Sequence, residues 1–372
     1  MHSRLRAPLK ILIVKPSSLG DVIHALPVLR LIKRAHPHAE VYWWISSELK
    51  GLVEHDPDLA GIFVFPRRGW GKGITWQQFA MTVRKARSLS FDCVIDLQGL
   101  ARSGVLSWFA RGQMTIGVND PREFAYAFYD RAVPRPSYHS HAVDWYLEVL
   151  RELRVPVHND FTWLHANPAA QASVAAKWKP QGRKWVILNP GARWLNKRWS
   201  AAQFGRLAGL LVDYDPSLNL VVLGSRDERP LAAQIAAVAP DRTLNLAGET
   251  SFAELMEWVR IGDLMVTNDT GPMHIRAAYR KPQIGLFGPT EPRRTGPYGQ
   301  LSTVLQARDF PCVPCMRAKC RHPEQLACLK AITAEQVFEK AKEILCGLPP
   351  VLQERQEFAA SAGVFTEAAK HR

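Results

Sequence analysis

Residues 10–27 read KILIVKPSSLGDVIHALP. Ile11, Leu12, Ile13 and Val14 form an apolar run with no polar alternation, the pattern of a strand buried on both faces. Pro16 to Gly20 break that pattern, and from residue 22 apolar positions recur at helical spacing to residue 35. Buried strand, small-residue turn and amphipathic helix are the opening of a strand–helix–strand unit in a parallel sheet. Ser18 and Gly20 let the backbone pass close to a ligand, with free N–H groups suited to an anion or a hydroxyl. Asp21 stands at the helix start and carries two readings. It is a capping carboxylate, or a general base aimed into a cleft from the end of the first strand. A helix N-terminus keeps it ionised in either case.

The same alternation continues outward. Strands are expected at 40–45, 61–65 and 91–96, with helices over 76–88, 102–110 and 141–153. The stretch 166–182 is rich in Ala, Gln, Lys and Pro and reads as an interdomain connection. The pattern then restarts. Strands fit 185–189, 218–223, 264–268 and 283–287, and helices fit 228–238 and 272–279. Ser200-x-x-Gln203, Ser251-x-x-Glu254 and Thr333-x-x-Gln336 are capping boxes opening further helices, the last running to about residue 345. The expectation is an α/β protein of two doubly wound domains facing across a cleft. Residues 1–172 form one and 173–347 the other, with a Cys-rich segment at 312–328 and a weakly periodic tail at 348–372.

Length and charge fit this division. The chain has 372 residues, 47% apolar and 22% charged, an ordinary globular composition that excludes collagen-like, coiled-coil and disulfide-scaffold classes. Its net charge is +14, split as +6 up to residue 172 and +8 beyond it, so there is no basic tail. Evenly spread charge is a solvated surface or an affinity for polyanions, namely nucleic acid, acidic lipid or phosphorylated small molecules. Arg4, Arg6 and Lys10 precede only four apolar residues, too few for an export signal, and no apolar stretch approaches a membrane span. The chain therefore reads as cytosolic with reduced cysteines.

In doubly wound sheets, ligands sit at the carboxyl ends of strands beside helix N-termini, so the chemistry is sought in the loops after strands. After the strand at 185–189 comes NPGARWLNKRWS (189–200), with Gly191 in the turn and Arg193, Lys197 and Arg198 around it. This is a phosphate cradle without P-loop order, and Lys197 is the candidate contact to a leaving diphosphate. Asp269, Thr270, Gly271 and Pro272 open the helix after the strand at 264–268, and backbone N–H groups of Thr270 and Gly271 could hold phosphate oxygens. His274 in its first turn reads as packed, capping or binding. Glu228 in the 224–228 loop stands where a ribose hydroxyl would find an acceptor. Arg67, Arg68, Trp70 and Lys72 combine cations with an aromatic in a Gly-softened loop, either a phosphate holder or a plain surface turn. Together these loops suggest a nucleotide diphosphate in the second domain and an acceptor over the first.

Four segments in one order, KPSSLGDVIHALP, NPGARWLNKRWS, TNDTGPMHIRAA and LFGPTEPRRTGPYG, resemble those of the ADP-heptose:lipopolysaccharide heptosyltransferases, glycosyltransferase family 9. The resemblance covers about residues 10–345. It implies a GT-B fold with the donor in the second domain, the acceptor in the first, and the last helix returning toward the first. It implies Asp21 as the catalytic base, with Ser18 and Gly20 in the loop around it, and Lys197 at the donor diphosphate. Gly191, Glu228, Asp269, Thr270, Gly271 and His274 fall in donor-binding segments. Arg67, Arg68, Lys72 and Arg122 match positions that hold the phosphorylated acceptor. A Thr pair that some members place near the diphosphate is Gly191-Ala192 here.

Inverting sugar transfer needs a base on the acceptor hydroxyl and positive charge on the departing ADP, and both are supplied without a metal-holding Asp-x-Asp pair in a cleft loop. No cofactor is therefore expected in catalysis. The implied partners are ADP-heptose and a lipid A-core acceptor, met at the cytoplasmic face of the inner membrane by peripheral contact. Alternatives are another nucleotide sugar or acceptor on the same fold, or a nucleic-acid-binding protein, though no nucleic-acid module is present. Cys312, Cys315, Cys320 and Cys328 could complete a structural zinc site or remain reduced or crosslinked thiols. Trp194 and Trp199 lie in a candidate loop and either stack on ligand or pack in the core.

Overall fold

A computed structural model describes residues 8–65, 73–121 and 123–347. The first half contains strands β1 (Lys10–Val14), β2 (Glu40–Ser46), β3 (Leu59–Phe65), β4 (Cys93–Asp96), β5 (Met114–Asn119) and β6 (Arg131–Pro134). They pair in parallel in the order β3-β2-β1-β4-β5-β6. Helices α1 (Leu19–Ala35), α2 (Gly73–Ser88), α3 (Ala101–Ala110) and α4 (Ala142–Glu152) cover this sheet. The second half contains β7 (Lys184–Asn189), β8 (Leu218–Val222), β9 (Thr243–Asn245), β10 (Leu264–Asn268), β11 (Gln283–Phe287) and β12 (Val304–Gln306). Its parallel order, β12-β11-β10-β7-β8-β9, repeats the first when each set is numbered from its own start. Helices α5 (Pro168–Trp178), α6 (Ala201–Tyr214), α7 (Arg229–Ala236), α8 (Phe252–Ile261), α9 (Gly271–Ala278) and α12 (Ala334–Leu345) flank it, with single turns α10 (Pro292–Thr295) and α11 (Ala327–Lys330).

Both sheets therefore reverse their strand order at one place, between β1 and β4 and between β7 and β10. Those reversals open the crevices in which doubly wound sheets bind ligands. The apolar strands lie where the sequence pattern required. Leu12, Ile13, Val186, Ile187 and Val266 are fully buried, and each such side chain stabilises the fold by about 1.5–3 kcal/mol. No described helix is long and apolar enough to cross a membrane.

The stretch 166–182, read as an interdomain connection, contains a helix: Asn167 caps α5 through Ala170 N–H, Pro168 takes the first turn, and the Ala-rich body packs against α8. Ala is the strongest helix former, and the Pro180–Gly182 breakers only end the element. Residue 172, the expected domain division, falls inside this helix. The last described helix, α12, packs on α6 in the second half, with Val337, Ala341 and Ile344 in that half's core. Strands β5, β6, β9 and β12 are additional to the expected ones; β9 and β12 have three residues each.

The halves share one hydrophobic cluster, which runs from Ile23 and Leu26 on α1 to Ile275 and Ala278 on α9. Helix α1 packs on α4 in its own half and on α9 across the gap. The N-termini of α1 and α9, each following a central strand, thus meet face to face.

Candidate active site

The first loop is held by a buried cation. Lys15 follows β1, is 2% exposed, and donates its ammonium to Leu97 O at 2.8 Å while lying 4.8 Å over the Tyr146 ring. Ser18 precedes α1, and Asp21 reaches back from the first turn. Its Oδ2 accepts from Ser18 N–H at 3.1 Å and Ser18 Oγ at 2.7 Å. Asp21 therefore does cap the helix, as one sequence reading required, while its carboxylate stays at the mouth of the loop. Burial alone would raise its pKa, but the Lys15 ammonium, the two Ser18 bonds and His274 outweigh that and hold it below the ordinary value. Lys15 is pushed down by burial, against the opposing pull of Asp21, Asp96 and Asp120.

The second half supplies the opposite charge. Lys197 Nζ donates to Asp269 Oδ2 at 2.5 Å and sits 4.8 Å from the Trp194 ring centre. Thr290 Oγ1 donates to the same Asp269 oxygen at 2.6 Å, joining the loops after β7, β10 and β11. Asn268 locks the arrangement by donating to Pro190 O at 2.7 Å and accepting from Trp199 N–H at 3.1 Å. Thr270 is the N-cap of α9 and its side chain makes no capping bond, so the first N–H groups of this helix are not capped by that hydroxyl. Glu228 lies directly against Gly191, where a Cβ would strike its carboxylate. Its oxygens accept from Ser225 N–H at 2.8 Å and from Arg198 at 3.4 Å.

The two halves touch through their glycines. A Cβ on Gly20 would fall 2.7 Å from His274 Nε2, and one on Gly271 would fall 3.1 Å from Leu19 Cγ. His274 lies within electrostatic reach of Asp21, Asp269 and Lys197, and its Nδ1 meets His24 Nε2 at 3.0 Å. Ser18, Gly20, Asp21, Lys197, Asp269, Thr270, Gly271 and His274 thus gather around one gap, while Glu228 and Gly191 pair with each other at the β7–β8 side. Arg67, Arg68, Trp70, Lys72 and Arg122 lie outside the described residues. Trp199 is core: it is 1% exposed, packs on Phe204, and donates to Ile332 O at 2.8 Å. Lys15, His24, His141 and Thr290 were not singled out by residue type. Lys15, His24 and Thr290 do lie inside the quoted motif segments, the one available signal.

The cysteines take a different position. Cys312, Cys315, Cys320 and Cys328 line one cavity of about 500 Å³, together with Asn196 and Pro289 from the donor-side loops. Among the described residues, the trio of ligand atoms within 4.8 Å of one another is Asp56, Asp58 and His165, not a set of thiols. Burial raises the pKa of the Cys328 thiol, and Cys312, Cys320 and Cys315 lie within electrostatic reach of it and act in the same sense. Both carboxylates of the acidic trio are already bound by the buried Arg30 guanidinium. They also precede β3, at the amino ends of the strands, whereas Asp21 follows β1 at the carboxyl ends.

A depressed carboxylate on one side, and a cation with an open helix N-terminus on the other, can deprotonate a hydroxyl and stabilise a departing anion in the same gap. Comparison with known proteins gives this geometry relatives. Residues 80–325 match the model for glycosyltransferase family 9 (heptosyltransferase). The chain is 30% identical over 329 residues to lipopolysaccharide heptosyltransferase 1 of Pseudomonas aeruginosa, covering 84% of this chain and 88% of that one. It is 26% identical over 352 residues to lipooligosaccharide heptosyltransferase 2 of Haemophilus influenzae, covering 91% and 99%. Among solved structures, a family 9 glycosyltransferase from Veillonella parvula superposes with a TM-score of 0.78 at 23% identity, over 91% of this chain and 97% of that chain. E. coli heptosyltransferase WaaC with ADP does so with a TM-score of 0.73 at 23% identity, over 90% and 100%. These superpositions show the GT-B α/β fold.

Proposed function

The chain belongs to glycosyltransferase family 9, and from that premise we propose that it moves heptose from ADP-heptose onto the lipopolysaccharide inner core with inversion at the anomeric carbon. The observation that carries this reading is the meeting of Asp21 with the Lys197–Asp269–α9 side across one gap. The acceptor hydroxyl would approach from the first half. Asp21 takes its proton as the oxygen attacks the anomeric carbon, and the carbon–oxygen bond to the diphosphate breaks on the opposite face. The diphosphate carries the released electron pair away as ADP, stabilised by the Lys197 ammonium and the N–H groups at Thr270 and Gly271. A carboxylate held below its ordinary pKa is a modest base, so positioning and leaving-group stabilisation carry much of the acceleration.

Glu228 fits as the acceptor for ribose hydroxyls, because its carboxylate is fixed at the β8 loop beside Gly191. Nothing in this scheme calls on a metal: anion stabilisation falls to the lysine and the helix start. Arg67, Arg68, Lys72 and Arg122 would hold acceptor phosphates, and the +14 charge would keep the protein near anionic lipid at the inner leaflet. Closure of the two halves would exclude water from the donor.

The test is incubation with ADP-heptose and a panel of truncated core acceptors, reading ADP release, product mass and anomeric configuration. Transfer from ADP-heptose with inversion is expected. Retention of configuration, or hydrolysis alone with every acceptor, would remove this reading.

A further inference from the structure

A chain of buried imidazoles crosses the interface behind the candidate site. His24, on α1 one turn beyond Asp21, is 2% exposed. Its Nε2 meets His274 Nδ1 at 3.0 Å, and its ring packs edge-on against His141 at 4.9 Å. His141 is tied independently: its Nδ1 accepts from Val143 N–H at 3.2 Å, which leaves Nε2 to donate to Gly296 O at 3.1 Å. The His24–His274 bond admits two arrangements of the proton. Either His24 Nε2–H donates and His274 carries its own hydrogen on Nε2, or His274 Nδ1–H donates and the hydrogen of His24 moves to Nδ1.

We propose that His24 is a positioning residue that sets the tautomer of His274, so that His274 presents Nε2–H to the interdomain gap beside Gly20 and Asp21. Two observations select this arrangement. His24 Nδ1 is buried and has no hydrogen-bond partner among the described residues, and an orphaned N–H is the rarer and costlier outcome there than a bare lone pair. The nearby Lys15 ammonium disfavours a second proton on the His24 ring, so that ring has a single hydrogen to place. On the other ring, the Nε2 edge lies beside Gly20, the residue before Asp21, whose carboxylate is within electrostatic reach and favours a hydrogen on that side. Asp269 and Lys197 act in opposite senses and are paired at 2.5 Å, so neither decides the tautomer. Burial keeps both imidazoles neutral, so each ring has one donor to place.

The Nε2 edge of His274 lies within van der Waals reach of the space beside Gly20, which only a residue without Cβ leaves open. A neutral N–H at that place suits an oxygen acceptor, such as a phosphate or hydroxyl oxygen of a sugar diphosphate. This use of the donor rests on the transferase reading above; the tautomer itself does not.

The experiment is long-range ¹H–¹⁵N correlation of the imidazole rings in the full chain labelled with ¹⁵N-histidine, with His274 assigned by its loss in His274→Gln. The expected pattern at neutral pH is a pyrrole-type Nε2 and a pyridine-type Nδ1 for His274. The reverse pattern overturns the proposal. His24→Leu, which removes the donor at similar volume, should release His274 into a mixture of tautomers. It should lower kcat by about tenfold or more, with little change in KM for the ADP-sugar. His24→Gln, whose amide N–H can donate along the same line, should restore the Nε2–H pattern and most of that loss. An unchanged His274 pattern in a folded His24→Leu protein also overturns the role of His24. Absence of heptosyl transfer by the wild-type protein, with the predicted ring pattern intact, would count against the transferase reading alone.

Discussion

The Lys197 ammonium and the Asp269 carboxylate meet at 2.5 Å across the switch point between β7 and β10, and Thr290 adds a second donor to the same oxygen. This pair fixes a cation that would otherwise swing through solvent on a flexible stem. It also spends part of that cation's charge on a neighbour, so an arriving diphosphate competes with Asp269 for the ammonium.

Replacing Lys197 by Ala removes the cation and leaves Asp269, only 6% exposed, with Thr290 as its remaining side-chain partner. The expected result is a fall of about a hundredfold or more in kcat/KM for the ADP-sugar, with the acceptor KM little changed. Steady-state kinetics varying each substrate in turn checks this, and equal losses on both substrates would argue against a leaving-group role.

Asp21→Asn keeps the shape and an oxygen able to accept from Ser18, but removes the base. Turnover should drop by about 10³-fold or more while ADP-sugar binding, read by calorimetry, persists. Near-normal turnover would remove Asp21 from the chemistry.

Lys15 is the first charge that holds the Asp21 carboxyl low, so Lys15→Met should raise it. The acid limb of the kcat/KM profile, set by loss of the ionised carboxylate, should then move to higher pH. A limb that stays in place would show that Asp21 does not define it.

Gly20→Ala places a methyl inside the contact distance of the His274 ring. Overpacking at this interface should cost about 1–3 kcal/mol in chemical denaturation. The same substitution made in a His274→Ala background should cost much less, and this double-mutant cycle isolates the contact from any helix-propensity gain.

The buried histidines make stability depend on pH. Burial pushes His141 down to about 3, against the hydrogen bond to Gly296, and lowers His24 and His274 as well. Below the ordinary histidine value of about 6.5, the unfolded chain binds protons that the folded chain refuses. Stability is then full above that value and declines as pH falls toward the folded-state pKa, by up to about 1.4 kcal/mol per unit per histidine. His141→Asn keeps a capping oxygen for Val143 N–H and removes one of the titrations. Urea midpoints at pH 7 and pH 5 should lie closer together in that variant than in the wild-type protein.

Local chemistry accounts for the parts of the molecule that were legible in the chain alone. The all-apolar run at Ile11–Val14, the Ser/Thr-x-x-Gln/Glu caps at 200, 251 and 333, and the Gly- and Thr-bearing turns after strands each act over a few residues. Repetition of those units twice in one order was enough for two doubly wound sheets and for the loops that line the gap. The helix within 166–182 is hard to read because the breakers at its boundaries mask its helix propensity. Short strands such as β9 stayed hidden because three half-buried residues carry no periodicity.

What tertiary structure decided is the electrical setting of those loops. A lysine looks the same in sequence whether it is solvated or, like Lys15, sealed against Tyr146, bonded to Leu97 O and within electrostatic reach of Asp21. The bond between His24 and His274 joins residues 250 positions apart, a separation no local pattern can encode. Charge, burial and tautomer depend on neighbours brought together through space, and that is why the candidate base, its tuning cation and the histidine beside it acquire their relation only when the two sheets close on one another.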